Sequence, residues 1–351
     1  MKICFINTNR AWGGGEKWHF QTSIELKRRG HDISIIAQKG SPLAQRISEQ
    51  IKVTEFNVGK LSFLNSMMGS RLKHFFQKEK FDAVILNLPA DVKAFSKPAF
   101  QAGVKKVIYR RGMNHPIKAS FVNKYFYKNF VTDIIANSED VKRSVFKNIP
   151  ELEHKITVIP NGVQIGRRVE YSPARKPKLL IGNLGRLVDQ KGQEDLIKLG
   201  ELLHRAKVDF HVFIGGEGEL RSTLEGKIAE VSLAGHITLL GEVNPKDFFP
   251  MIDYFVFPSR FEGFSNAILE SMYFGKPVIC YNVASNAEII QSGKNGFVVE
   301  PFNIEKLKDK VLKLSEDDQL YRSFQEEART SLEEKYDYSK TIDQLESLIT
   351  S

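Results

Sequence analysis

Phe257-Pro258-Ser259-Arg260-Phe261-Glu262-Gly263-Phe264-Ser265-Asn266-Ala267-Ile268-Leu269-Glu270 is the stretch from which the fold can be read. It runs from the end of a strand-like segment through a glycine turn into a helix start. That order places backbone N–H groups and the Glu262 carboxylate at a helix N-terminus. With 3.6 residues per turn, Glu270 is expected about two turns further along the same helix, so both carboxylates can face one ligand. The arrangement suits a molecule with a phosphate at its middle and hydroxyls at both ends.

Outward from this unit the same strand–turn–helix pattern recurs. In the first half, strands are expected at Ile3–Asn7, Ile33–Ala37, Val53–Phe56, Ala83–Asn87, Val104–Tyr109, Ile134–Ala136 and Ile156–Ile159. Helical spacing of apolar residues marks Glu16–Arg29, which Gly30 ends, and Ser138 is a good N-cap for Glu139–Lys147. After Pro160-Asn161-Gly162-Val163 the periodicity stops, and the Arg-, Lys-, Pro- and Ser-rich stretch to Lys178 reads as a linker. A second series follows, with strands at Leu179–Leu184, Phe210–Ile214, Ile237–Leu240, Tyr254–Phe257, Val278–Tyr281 and Gly296–Val299. Helices are expected at Gln193–Ala206, Glu217–Val231, Asn266–Phe274 and Ile304–Leu314, and the part beyond Asp317 is mostly helical. Alternation of this kind implies parallel sheets covered on both faces. The fold class is therefore α/β: two facing doubly wound Rossmann-like domains, with ligands beyond the carboxyl ends of the strands in an interdomain cleft.

Composition agrees with two domains. The chain has 351 residues, 42% of them hydrophobic, enough for two cores. Cys4 and Cys280 stand far apart in apolar runs and read as buried free thiols of a reducing compartment. The N-terminal apolar run is short and reads as a first strand, not a signal peptide, and no run approaches the ~20 residues that span a bilayer. A cytoplasmic protein, soluble or peripheral at the inner face of the membrane, is expected. The net charge is +9. Much of the excess lies between Lys105 and Lys147, including Arg110, Arg111, Lys118, Lys124 and Lys128, interleaved with Phe121, Tyr125, Phe126, Tyr127 and Phe130. Over 117–130 the preferred reading is an aromatic core under a solvated lysine face; the other is contact with an anionic membrane surface or glycolipid. Nucleic acid is not expected, because no binding motif accompanies the charge.

Gly13-Gly14-Gly15-Glu16 follows the first strand and opens a helix, where glycines let the backbone approach an anion or sugar. It is not a dinucleotide fingerprint, since the third glycine position is Trp18. Gly215-Gly216-Glu217-Gly218 fails the same test at Arg221 and reads as a strand-to-helix turn. Gly185-Arg186 and Lys191-Gly192 flank a loop that opens a helix; a guanidinium fork and an ammonium both suit a diphosphate, whose charge they would stabilise as it leaves. His115 lies in the basic segment and is a candidate contact to a transferred sugar or an acceptor, although a lone loop histidine is more often structural. No metal spacing and no Asp-x-Asp occurs, so neither a metal nor a cofactor is expected.

Taken together, Gly13-Gly14-Gly15-Glu16, Pro160-Asn161-Gly162-Val163, Gly185-Arg186 with Lys191-Gly192, Glu262-Gly263-Phe264 through Glu270, and Gly275-Lys276-Pro277-Val278-Ile279 resemble the retaining glycosyltransferases of family 4, which have the GT-B fold. The resemblance implies an acceptor-binding domain over 1–164, a nucleotide-sugar domain over 165–334 and a last helix within 335–351 that crosses back. It implies that Arg186 and Lys191 hold the donor diphosphate, Glu262 the sugar hydroxyls and Glu270 the ribose. Backbone N–H groups of Gly263, Phe264, Ser265 and Asn266 would line the donor, and Gly14 and Gly15 would approach it. Where the family usually has paired glycines before Glu-Ile-Ile, this chain has Ala284-Ser285 ahead of Asn286-Ala287-Glu288-Ile289-Ile290. The activity implied is metal-independent transfer, with retention, from a nucleotide-diphosphate sugar to an anionic or lipid-linked glycan. A sugar-nucleotide epimerase of the same architecture and a non-catalytic binding protein are the alternatives.

Overall fold

The computed structural model describes residues 1–47, 49–59, 61–166 and 178–351. The chain divides into two compact units, Met1–Pro160 with Thr341–Ser351, and Asn161–Lys340. The divisions fall at Pro160/Asn161 and Lys340/Thr341, where the sequence reading has 164 and 334. Most of the expected linker, 167–177, lies outside the described residues.

The first unit holds β1 (Lys2–Asn7), α1 (Gly14–Arg28), β2 (Asp32–Gln38), α2 (Pro42–Ile47), β3 (Lys52–Phe56), α3 (Ser66–Glu79) and β4 (Ala83–Leu86). It continues through α4 (Pro89–Gln101), β5 (Lys106–Arg111), α5 (Phe121–Asn129), β6 (Asp133–Ala136), α6 (Glu139–Phe146) and β7 (Ile156–Val158). Its seven strands order as β3-β2-β1-β4-β5-β6-β7 and every pairing is parallel. The second unit holds β8 (Leu179–Leu184), α7 (Glu194–Arg205), β9 (Phe210–Gly215), α8 (Arg221–Glu230), β10 (Ile237–Gly241), α9 (Pro245–Phe248) and β11 (Tyr254–Phe257). Then come α10 (Asn266–Tyr273), β12 (Val278–Tyr281), α11 (Asn286–Ile289), β13 (Gly296–Val299), α12 (Ile304–Glu316) and α13 (Asp318–Lys335). Its order is β10-β9-β8-β11-β12-β13, again parallel throughout. A final helix, α14 (Tyr338–Thr350), begins in the second unit and ends in the first.

Continuous apolar strands are what a sheet covered on both faces requires. Thus Ala83-Val84-Ile85-Leu86, Tyr254-Phe255-Val256-Phe257 and Val278-Ile279-Cys280-Tyr281 are buried at every position. Cys4 and Cys280 are both free and buried in these layers, and burial pushes both thiols well above their ordinary range. In each sheet the strand order reverses once, between β1 and β4 and between β8 and β11. Ligands of doubly wound sheets sit beyond the carboxyl ends of the strands at that reversal. The Gly13–Gly15 turn follows β1, the Gly185–Gly192 loop follows β8 and the Glu262 loop follows β11, so each leaves its sheet at the reversal.

Two expectations need correction. The helix expected from Glu217 starts at Arg221, because Gly216 and Gly218 are pressed against the Gly185 and Leu187 carbonyls and a turn at 219–220 comes before the helix. The strand expected at Val104–Tyr109 runs Lys106–Arg111, since Arg110 is taken into the interior. Arg110 and Arg111 are therefore not part of a solvated basic face. Arg110 lies 4.8 Å over the Trp18 ring, and Arg111 donates to the Tyr109 hydroxyl and the His115 carbonyl oxygen.

Candidate active site

In the second unit two loops are laced together at the carboxyl ends of β8 and β11. Gln190 carries the lacing. Its carbonyl oxygen accepts from the Arg260 N–H at 2.8 Å and lies 3.0 Å from the Ser259 hydroxyl oxygen, and its amide donates to Phe261 O at 2.7 Å. Gly192 closes the loop at φ +66°, and a Cβ there would overlap the Pro258 carbonyl oxygen. From behind, the Gly215–Gly218 turn supports the loop through Gly185 N to Gly215 O at 3.0 Å and Leu187 N to Glu217 O at 2.9 Å.

The lacing brings Lys191 onto Glu262. The ammonium donates to Glu262 Oε1 at 2.5 Å, the Ser259 hydroxyl donates to the same oxygen at 2.5 Å, and Lys191 Nζ lies 5.4 Å from the Phe257 ring centroid. Side-chain exposure of 16% and 7% makes this a largely desolvated pair. An ammonium has three donors and a carboxylate two oxygens, so each group keeps capacity for a ligand. Arg186 stands on the same loop and is exposed, with no ion pair among the described residues. Its carbonyl oxygen is fixed by the Gln193 amide at 2.9 Å.

Helix α10 begins at Asn266, so Glu262 precedes the helix and Glu270 stands on its second turn. The expected spacing of two turns along one helix is thereby corrected to a loop followed by one turn. Ser265 occupies the N-cap but does not cap, because its hydroxyl donates to Asn286 Oδ1 at 2.6 Å. Asn266 is instead held by the Asn161 amide at 2.9 Å. The first-turn N–H groups thus lack a side-chain cap, which is the condition in which a helix start takes an anion. Ala284, in the place of a family glycine, adopts φ +46° just ahead of α11.

In the first unit the centre of the rim is Glu16, which is buried. Its Oε1 accepts from Asn7 at 3.2 Å, Asn9 at 3.0 Å and Asn87 at 3.3 Å. These amides come from the end of β1, the loop after it and the residue following β4. A Cβ on Gly15 would fall 2.9 Å from the Asn87 amide, whereas one on Gly14 would meet nothing within 4 Å. Beside them Asp91 accepts from the Thr8 hydroxyl and from the Leu88 N–H at 2.9 Å, and burial pushes its carboxyl up to about 7. Burial likewise lowers the Arg110 guanidinium to about 10 and holds the His19 imidazole well below its usual range.

The structure therefore joins Glu262, Gly263, Phe264, Ser265, Asn266 and Glu270 around one loop and helix start, with Arg186 and Lys191 on the adjoining loop. Gly14, Gly15 and His115 belong to the other unit. His115 is exposed. Sequence reasoning missed Ser259, Asn286 and the Asn7–Asn9–Asn87 amide cluster. The available signal was position, since Asn7 ends β1 and Asn87 follows β4. Among the described residues no group of His, Cys, Asp and Glu is arranged to hold a metal.

The model of glycosyltransferase family 4 matches residues 12–167, and that of the glycosyl transferases group 1 matches 168–331. CapM of Staphylococcus aureus, a capsular polysaccharide biosynthesis glycosyltransferase, is 26% identical over 92% of this chain and 90% of its own. LpsE of Rhizobium meliloti, a lipopolysaccharide core biosynthesis glycosyltransferase, is 25% identical over 86% of this chain and 84% of its own. The crystal structure of Anabaena HepE in complex with UDP superposes with a TM-score of 0.86 at 19% identity, over all of both chains. Adjoining matches to both domain models, relatives of that activity along most of the chain and a shared architecture identify a family 4-like glycosyltransferase with the GT-B fold.

Proposed function

We propose that the chain moves a sugar from a nucleotide-diphosphate sugar to a hydroxyl of an anionic or lipid-linked glycan of the lipopolysaccharide type, with retention and without a metal. The observation that carries this is the Lys191–Glu262 pair beside an uncapped helix start at the reversal of the second sheet. Arg186, Lys191 and the α10 N-terminus supply the positive charge that a leaving diphosphate needs. The Glu262 carboxylate, anchored by Lys191 and Ser259, offers its other oxygen to sugar hydroxyls, and Glu270 is assigned to the ribose. The C1–phosphate bond breaks through an oxocarbenium-like state. The acceptor oxygen bonds to C1 from the face just vacated, and its proton passes to the departing phosphate oxygen. Acceptors of this class, and the capsular and lipopolysaccharide roles of the relatives, support a cytoplasmic enzyme that works at the inner face of a membrane.

A thermal-shift panel of nucleotide sugars, each with and without EDTA, identifies the donor. Proton NMR of the transferred sugar then reads the anomer. An inverted product would remove the retaining mechanism, and loss of turnover in EDTA would remove metal independence. Donor turnover to nucleotide and an altered free sugar without acceptor would favour the epimerase.

A further inference from the structure

On the first unit, away from the strand ends, helices α3, α4 and α5 enclose an open groove of about 570 Å³. That is the size of a site for a small amphipathic molecule. Its floor is apolar, from Phe63, Met68, Val122 and Phe126. Its rim carries Lys73, Lys93 and Lys97, and among the described residues no carboxylate lines it. Lys93 and Lys97 lie along aromatic rings, 5.9 Å from the Phe63 centroid and 5.5 Å from that of Tyr125, and none of the three has an ion pair among the described residues. Two large apolar side chains of its lining stand in water, Phe121 at 84% exposure and Leu64 at 68%, and Leu61, just before the lining residue Ser62, is also 68% exposed. Lys118 and Lys124 flank Phe121 and are exposed. An apolar cluster of this size on a charged protein marks a surface that meets something.

We propose that this face docks the enzyme to an anionic phospholipid leaflet. Phe121, Leu64 and the neighbouring Leu61 enter the headgroup and acyl boundary, while Lys73, Lys93 and Lys97 meet lipid phosphates. Charge complementarity selects this occupant, because a rim with lysines and no carboxylates is matched by a surface of phosphates. The proposal rests on the membrane-linked acceptor proposed above and names the surface that makes the contact. It also revises the preferred reading of 117–130. Phe126 and Tyr127 are core, as expected, but Phe121 and Tyr125 are exposed. Each lysine near an anionic surface contributes about fivefold in binding, and the contribution is screened by salt.

The test is co-sedimentation of the full chain with vesicles of phosphatidylcholine alone, with phosphatidylglycerol added, and with a polyprenyl phosphate added. Binding is expected with phosphatidylglycerol, weakened by high salt, and not with phosphatidylcholine alone. The double variants Leu64→Ser/Phe121→Ser and Lys93→Glu/Lys97→Glu should each lose at least about tenfold, whereas Lys246→Glu, in the second unit, should bind as the parent does. Retained circular dichroism and a retained thermal shift with the donor nucleotide show that both variants are folded and that the donor site is separate. Absence of binding to phosphatidylglycerol vesicles overturns the proposal. So does unimpaired binding by the groove variants, or binding that appears only with the polyprenyl phosphate.

Discussion

Glu262 is tied to Lys191 and Ser259 before any ligand arrives, so its replacement acts on folding as well as on catalysis. Removing one member of a desolvated pair leaves the other charge unmatched, at about 3 kcal/mol. Glu262→Ala should therefore lower the melting temperature and abolish transfer together. The double variant Glu262→Gln/Lys191→Met, which removes both charges, should recover most of the stability and none of the activity. Calorimetry with a transfer assay separates the two effects, and recovered activity in the double variant would remove Glu262 and Lys191 from the donor site. Asp91 shows a different behaviour. Its carboxyl is pushed up to about 7 by burial, from an ordinary 3.8. Between those values the native state holds a proton that the unfolded chain has released, so stability declines as pH rises through this window and levels off above it. Asp91→Asn should flatten that decline between about pH 4 and 7 in denaturant titrations. An unchanged pH slope would show that Asp91 is ionised in the native protein.

Elements were readable where burial alone determines them. The runs Leu179–Leu184, Tyr254–Phe257, Val278–Tyr281 and Gly296–Val299 are bounded by turn residues, and the strands occupy those residues. The helix start at Arg221 was hidden because it depends on how the Gly216 and Gly218 backbone packs against another loop. The ends of β5 were hidden because two arginines do not look like strand interior until Trp18 and Tyr109 are placed beside them. The contact between Lys191 and Glu262 joins residues 71 positions apart, and no local pattern reports it. In contrast, Ala284 was visible as a departure from a glycine pattern, and its φ of +46° supplies the consequence. A left-handed conformation costs a residue with a Cβ about 1–2 kcal/mol. Ala284→Gly relieves that at the loop before α11, against the greater chain entropy of glycine. The variant should gain about 0.5–1 kcal/mol in stability. Denaturant midpoints test this, and a lower midpoint would mean that the turn is not strained.

The whole chain is organised by two parallel sheets whose reversals each receive the residues that the sequence motifs single out, and by a helix that returns to where the chain began. Helix α14 buries Ile342, Leu345 and Ile349, an i, i+3, i+7 stripe on one face. Charged contacts tie it to the first unit. Arg29 reaches Asp343 and Glu346 at 2.5 Å each, and the His31 ring reaches Glu346 at 2.8 Å. The partners lie at the end of α1 and just beyond it, so residues 341–351 complete the first unit although they follow the second. Burial of three such side chains contributes about 2 kcal/mol each, a large share of the ~5–15 kcal/mol that a domain has to lose. Terminating the chain after Lys340 should therefore lower the melting temperature of the first unit by roughly 10–20 °C. The second unit keeps its own contacts at Val163, through Tyr336 and Tyr338, and should still bind the donor nucleotide. Limited proteolysis mapped by mass spectrometry, with and without nucleotide, distinguishes the units. Cleavage is expected first within residues 1–160, with protection by nucleotide confined to 161–340. Equal resistance of the truncated and full chains would show that the returning helix is dispensable to the unit it completes.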